Sequence, residues 1–149
     1  MRRKLISLLG IGFLTLFLGG CANNGVTTDD INVPIGDLQK LIAEAIPVKI
    51  KTSSTSGREF KSNYFIQKKG EFEEFDGGPM RSQVEVEILG DRRPYSVFVR
   101  VPVEKRSAEG HYKVIKYDDG TARVIIRRIQ KALHERRDNR NIIDDFRAF

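Results

Sequence analysis

The sequence predicts an α+β fold, a two-layer sandwich in which a four- to five-stranded antiparallel sheet is covered by an N-terminal and a C-terminal helix. Three observations lead to this prediction. Apolar residues recur with helical spacing near both ends of the chain and with period two in the segments between them. Clusters of Gly, Pro and Asp separate the alternating segments. A sheet with one apolar face needs a cover, which two amphipathic helices supply.

The first predicted helix spans residues 34–46. Asp37 can cap it, and Pro47 cannot continue it. Its apolar residues fall on one stripe, which comprises Leu38, Leu41, Ile42, Ala45 and Ile46. We expect this stripe to face the core.

The second predicted helix spans residues 121–137, with Thr121 as its N-cap and the polar segment 138–141 as its end. Six residues share one apolar stripe: Ala122, Ile125, Ile126, Ile129, Ala132 and Leu133. The segment 121–128 is also compatible with a return strand, although its helical spacing favours the helix.

Five segments between the helices are predicted to be strands. In chain order they are 48–51, 60–66, 83–89, 95–103 and 111–117. The first two can pair as a hairpin, and so can the next two. Pro102 has no N–H to donate, so we expect it at a strand end or an edge. The acidic, glycine-rich segment 70–81 is predicted to be a loop.

The N-terminus has the pattern of a secretory signal. Three basic residues precede an apolar run over residues 5–18. This run is shorter than the roughly 20 residues of a membrane-spanning helix, although a short transmembrane anchor is the alternative. The run closes with Leu18, Gly19, Gly20 and Cys21. The whole pattern resembles the signal peptide and lipobox of bacterial lipoproteins.

The lipoprotein resemblance implies that residues 1–20 are cleaved and that Cys21 carries a diacylglycerol, with palmitate as a typical acyl chain. Two or more acyl chains give stable anchoring. Ala22 stands where inner-membrane lipoproteins of Gram-negative bacteria carry Asp, so for a Gram-negative host the resemblance implies the periplasmic face of the outer membrane. We expect residues 21–33 to be a flexible tether and residues 34–149 to be one domain of the cell envelope.

Charge and cysteine content exclude several classes of function. The formal net charge is +6, and loss of Arg2, Arg3 and Lys4 with the signal leaves 6 − 3 = +3. Nucleic-acid binding requires a stronger basic footprint, so we expect no nucleic-acid partner. Cys21 is the only cysteine, which excludes a disulfide within the domain and a cysteine-based metal site.

Patterns typical of catalysis are not found in the sequence. His111 and His134 lack the spacing of a zinc-protease motif, and there is no Gly-x-Ser-x-Gly elbow. The carboxylates cluster in the segment 71–76 and at Asp118 and Asp119, where turn and loop chemistry accounts for them. We therefore expect no enzyme, no metal and no cofactor.

Basic residues collect on the polar side of the second predicted helix: Arg123, Arg127, Arg128, Lys131, Arg136 and Arg137. Arg92 and Arg93 mark the tip of the predicted hairpin over 83–103. This basic face is either solvated or a contact for anionic lipid, glycolipid or an envelope protein complex, because guanidinium groups bind phosphate and carboxylate bidentately.

The sequence thus predicts a membrane-anchored, non-enzymatic binding or assembly component of the envelope. The alternative is a carrier that holds a lipid or another apolar ligand between sheet and helices. A filled interior would favour docking, and an open apolar cavity would favour the carrier.

Overall fold

The computed structural model describes residues 24–145, with side chains described through Arg137, and this part contains two helices and ten strands. In chain order they are β1 (Val26–Ile31), α1 (Ile35–Ala45), β2 (Ile50–Ser53), β3 (Glu59–Ser62), β4 (Phe65–Lys68), β5 (Glu71–Glu74), β6 (Met80–Ser82), β7 (Glu85–Leu89), β8 (Tyr95–Arg100), β9 (Pro102–Arg106), β10 (Tyr112–Tyr117) and α2 (Asp119–Asp145). The predicted α+β class is confirmed.

The strands form two antiparallel sheets of five strands each, so the prediction of one sheet with four or five strands is wrong in number. Sheet A has the order β1-β8-β7-β3-β2, and sheet B has the order β10-β9-β6-β4-β5. Three chain segments supply both sheets, because β3 runs into β4, β6 into β7 and β8 into β9 with only one or two residues between them. The two sheets are therefore two halves of one bent surface.

Buried polar side chains satisfy the backbone where these long strands bend. Gln83 Nε2 donates to the Ser62 carbonyl oxygen at 2.7 Å, and the Val84 backbone N–H donates to Ser62 Oγ at 2.9 Å. The Pro102 carbonyl oxygen accepts from the Gln83 backbone N–H at 3.3 Å. An unpaired polar group at these buried positions would cost about 1–3 kcal/mol. Pro102 starts β9, which confirms its predicted place at a strand end.

The hydrophobic core lies between sheet A and the two helices. Both predicted apolar stripes face it, since Leu38 and Ile42 of α1 and Ile125 and Ile129 of α2 are fully buried. Sheet A contributes the buried valines Val86, Val97 and Val99 of β7 and β8, and Val84 joins them from the bend just before β7. Burial of each such side chain contributes about 1.5–3 kcal/mol, so this interface supplies most of the apolar stabilisation.

The C-terminal helix forms as predicted over 121–137, which decides between helix and strand, but both of its predicted ends are wrong. Asp118 is the capping side chain: its Oδ1 accepts from the Thr121 backbone N–H at 3.0 Å and its Oδ2 from Thr121 Oγ1 at 2.7 Å. The helix continues through 138–141 to Asp145. That segment is polar but holds neither Gly nor Pro, the residues that interrupt a helix most strongly.

The N-terminal helix agrees with the prediction within a residue or so at each end, but Asp37 does not cap it. The chain enters α1 from Pro34, and no side chain makes a cap hydrogen bond there. Asp37 lies within the first turn and instead bonds to Arg136 of α2 at 3.1 Å. The residue that was expected to start one helix therefore ties the two helices together.

Two segments predicted to lack regular structure form strands. Residues 26–31 of the predicted tether form β1, whose main chain pairs with β8 without a continuous apolar pattern. The predicted loop over 70–81 contains β5 and β6. Lys69 and Gly70 both have positive φ, 50° and 88°, and this two-residue turn pairs β4 with the acidic strand β5. Backbone pairing thus outweighs side-chain polarity at the edge strands β1 and β5 and also in β6, which lies in the middle of sheet B.

On the outer face of sheet A, Glu85 lies between two cations on neighbouring strands. Lys61 Nζ is 2.8 Å from Glu85 Oε1, and Arg100 Nε donates to Glu85 Oε2. Burial alone raises the pKa of Glu85, but the two hydrogen bonds and the two positive charges outweigh it and hold this pKa below its ordinary value.

Candidate docking surfaces

The outer side of α2 carries a row of exposed cations, called here the basic helix face: Arg123, Arg127, Arg128, Lys131 and Arg137. Arg123, Arg127 and Lys131 follow one another at intervals of four residues, which is about 6 Å along a helix axis. Lys131 Nζ has a loose contact with Glu135 at 3.7 Å. Arg123, Arg127 and Arg137 form no ion pair with another described residue. Their charges are therefore directed to solvent or to a partner.

Two of the predicted contact residues are engaged within the molecule. Arg136 Nη2 lies 3.1 Å from Asp37 Oδ1, and its Nη1 is 3.5 Å from the Asp37 carbonyl oxygen. The guanidinium of Arg128 lies 5.6 Å from the ring centre of Phe72 on β5. Arg136 thus serves the α1–α2 contact, whereas Arg128 remains exposed at the flank of the basic helix face.

The hairpin arginines lie towards the same end of the fold as the later turns of α2. Arg92 and Arg93 are exposed at the tip between β7 and β8. Gln130 Nε2 donates to Thr28 Oγ1 at 3.0 Å, and Thr28 pairs with Val97 of β8. The residue before α2, Asp118, donates its backbone N–H to the carbonyl oxygen of Val101, which directly follows β8. From there α2 runs antiparallel to β8, so its later turns approach the first residues of β8 and the hairpin tip. No ion pair joins Arg92 or Arg93 to α2 within the described part of the chain.

A surface cleft of about 710 Å³ opens between the segment 28–33 and residues 130–137 of α2. One wall carries acidic and amide groups and the other wall carries basic ones. Its polar lining includes Asp29, Asp30, Asn32, His134, Arg136 and Arg137. A cleft with charges on both walls does not resemble an apolar ligand pocket. The interior between sheet A and the helices is instead filled by their own buried side chains.

The histidines and acidic clusters do not converge on one site. His111 is exposed beside β10, and His134 is exposed on α2. Within residues 24–137 no three His, Cys, Asp or Glu side chains come together as metal ligands would. Asp118 caps α2, and the acidic segment 71–76 provides strand β5.

Sequence analysis did not anticipate a cluster on the outer face of sheet B, called here the aromatic–arginine cluster. The Arg81 guanidinium carbon lies 3.6 Å from the ring centre of Tyr64 and 3.9 Å from that of Tyr112. Arg81 Nε also pairs with Glu104 Oε2 at 2.7 Å. Phe75 meets Tyr112 edge to face, with ring centres 5.9 Å apart.

This cluster fixes four strands or their flanking loops against one another. Tyr64 precedes β4, Arg81 lies on β6, Glu104 on β9 and Tyr112 on β10. The Tyr112 hydroxyl also donates to the Gly78 carbonyl oxygen at 2.5 Å, which holds the loop before β6. Tyr64 and Tyr112 are 48 positions apart in sequence, so no local pattern links them.

Comparison with known proteins adds no assignment. No protein-family model, no curated protein and no solved structure matches this chain. No helix in the part spanning 24–145 is both long enough and apolar enough to cross a membrane. The predicted lipidation site and lipobox, Cys21 with Leu18, Gly19 and Gly20, lie outside the described residues.

Proposed function

We propose that this protein is a non-enzymatic envelope lipoprotein, anchored through acylated Cys21, that docks through its basic helix face to an anionic surface. The anionic surface is an envelope protein complex or a phosphate-bearing lipid or glycolipid. One observation carries the docking proposal: the apolar side of α2 packs into the core, whereas Arg123, Arg127 and Arg137 on its outer side are exposed and form no ion pair with another described residue. The anchoring half of the proposal rests on the lipobox pattern alone.

Docking is favoured over a carrier function by the state of the interior. Leu38, Ile42, Ile125 and Ile129 have no exposed surface and fill the layer in which an apolar ligand would lie. The cleft beside α2 is open and charged, so it suits contact with polar groups better than storage of an acyl chain.

The basic helix face supplies several charges at a regular spacing, which suits a surface rich in phosphate or carboxylate. Each cation near an anionic membrane surface contributes about 1 kcal/mol. Arginine is also suited to bidentate contact with either group. The interaction should weaken as ionic strength rises, since exposed charges are screened beyond about 8–10 Å at physiological salt.

A charge-reversal experiment tests this proposal. The double variant Arg123→Glu/Arg127→Glu is compared with Lys40→Glu/Lys49→Glu, which changes the same number of exposed charges on α1 and in the loop before β2. Loss of two favourable cations alone costs about 2 kcal/mol, so we expect at least about 30-fold weaker binding for the first variant. The control should bind like wild type.

The measurement has two parts, co-purification from the host envelope and binding to vesicles with and without phosphatidylglycerol. Loss of envelope partners with unchanged vesicle binding assigns the face to a protein, and the opposite result assigns it to lipid. Equal retention of both by the Arg123/Arg127 variant, at unchanged thermal stability, would refute docking through this face.

A further inference from the structure

Sheet B has two outer edges with opposite chemistry. Its order ends in β10 on one side and β5 on the other, and neither strand has a second strand partner among the described residues. β5 is acidic, with Glu71, Glu73 and Glu74 all exposed. β10 is basic, with Lys113 and Lys116 exposed. Both edges adjoin α2, since only one residue separates β10 from it and Arg128 lies 5.6 Å from the ring centre of Phe72 on β5. Among the described residues, however, no ion pair or ring contact joins Arg123 or Arg127 to either edge.

Each edge presents backbone groups that point away from the sheet. In an antiparallel pair, alternate residues direct N–H and C=O to the partner strand and the others direct them outward. The turn at Lys69 and Gly70 makes Lys68 and Glu71 the closing pair of the β4–β5 hairpin, so Phe72 and Glu74 direct their main-chain groups outward. At least four main-chain groups of β5 therefore have no strand partner in the described part of the chain.

The same reasoning applies to β10. Ser107 N–H donates to the His111 carbonyl oxygen at 2.7 Å, which sets the alternation of the β9–β10 ladder. Tyr112 and Val114 then direct their main-chain groups outward. Val114 and Ile115 are 47% and 51% exposed, so this edge carries two adjacent aliphatic residues that are open to contact.

The lysines on β10 determine which charge a strand must carry to pair with this edge. Two β10 edges placed antiparallel about Val114 and Ile115 would bring Lys113 of one copy opposite Lys116 of the other, which is repulsive. Edge lysines and bulges are known devices against uncontrolled strand pairing, and β10 has both. An acidic strand meets no such repulsion, so the same lysines that block one partner favour another.

We propose that copies of this protein associate head to tail, with the acidic edge β5 of one copy adding to the basic edge β10 of the next. Exposed Val114 and Ile115 supply apolar contact, and Lys113 and Lys116 meet the glutamates of β5. The mode is strand addition, in which main-chain hydrogen bonds give affinity and side chains give selectivity. Because the two edges differ, each copy keeps one free edge, and the association is heterologous rather than a closed two-fold dimer.

Two charge-swapped variants test the proposal on the full-length protein purified from its host membrane. Lys113→Glu/Lys116→Glu makes both edges acidic, and Glu71→Lys/Glu73→Lys makes both edges basic. We expect wild type to show a mass that rises with concentration in sedimentation equilibrium and falls with added salt. Each variant alone should need at least about tenfold higher concentration to associate.

Mixing the two variants in equal amounts should restore association, because each β10 then meets a β5 of opposite charge. Arg123→Glu/Arg127→Glu should associate like wild type, which separates this inference from docking through α2. A wild type that remains monomeric at its highest soluble concentration would refute the inference. It would also be refuted if the mixed variants did not associate, or if β10 were found to pair with an acidic segment of another protein.

Discussion

Replacing Arg81 with alanine should be the most damaging surface substitution in sheet B. Its guanidinium lies between the rings of Tyr64 and Tyr112, at 3.6 and 3.9 Å, and is paired with Glu104 at 2.7 Å. The side chain of Arg81 is only 20% exposed and that of Glu104 only 16%. Alanine removes two stacked contacts and leaves a largely shielded carboxylate without its partner.

The expected size of the effect follows from these contacts. A cation over an aromatic face contributes about 0.5–1 kcal/mol at an exposed site and more when it is shielded. An unpaired, mostly buried polar group costs about 1–3 kcal/mol. Arg81→Ala should therefore lower the free energy of unfolding by about 2–4 kcal/mol. For a domain between 100 and 150 residues, about 1 kcal/mol corresponds to roughly 4 °C, so Tm should fall by about 8–16 °C.

Thermal and urea unfolding of three variants distinguish stacking from charge. Arg81→Lys keeps the charge but loses the planar group, so it should lose about half of the stabilisation. Arg100→Ala is the matched control, because Arg100 also pairs with a glutamate on a neighbouring strand but is 46% exposed and has no ring contact among those of the described residues. It should cost less than about 1 kcal/mol. Equal losses in Arg81→Ala and Arg100→Ala, or full stability in Arg81→Lys, would refute the reasoning.

The remaining predictions concern a cap, a carboxylate and the anchor. Asp118→Ala should lower stability by about 1 kcal/mol in urea unfolding through loss of the α2 cap, and Asp118→Asn, which can still accept the bond, should recover most of it. Because the pKa of Glu85 is lowered in the folded protein, its ionised carboxylate stabilises the fold above the ordinary pKa, and this stabilisation is lost as pH falls through the lowered value. The difference in free energy of unfolding between wild type and Glu85→Gln should therefore shrink in acid. A difference that does not change with pH would contradict this. Cys21→Ser should leave the protein unprocessed or released from membranes, and normal processing and fractionation of that variant would contradict the proposed lipidation.

Periodic segments were predictable because their pattern reports burial on one face. The apolar stripe of 121–137 identified α2 correctly, and the alternation over 83–103 identified β7 and β8. Each of these segments buries a full set of apolar side chains, so the pattern and the structure have the same physical cause.

The missed strands lie where backbone pairing, rather than side-chain burial, stabilises the element. β1 and β5 are edge strands whose side chains are mostly exposed, so their sequences carry little alternation. The predicted end of α2 is wrong because the polar segment 138–141 contains neither Gly nor Pro, and Asp, Asn and Arg all tolerate a helix.

The basic helix face could be predicted from the sequence, whereas the aromatic–arginine cluster could not. The basic helix face follows from residues four apart on one helix, which sequence periodicity reports directly. The aromatic–arginine cluster joins Tyr64, Arg81, Glu104 and Tyr112 from four separate segments. Only the pairing of β4, β6, β9 and β10 brings them together, and that pairing has no local signature.

The early start of β1 has a consequence for how an anchored copy would move. β1 begins at Val26, five residues after Cys21, and five residues span at most about 18 Å. A lipid-anchored domain would thus be confined to a thin layer above the bilayer, with few orientations open to it. Because Gln130 of α2 is bonded to Thr28 of β1, the helix would turn with the tethered strand. The proposed docking contact would therefore form with lipid headgroups or with the part of a protein complex nearest the membrane, and not far from the bilayer.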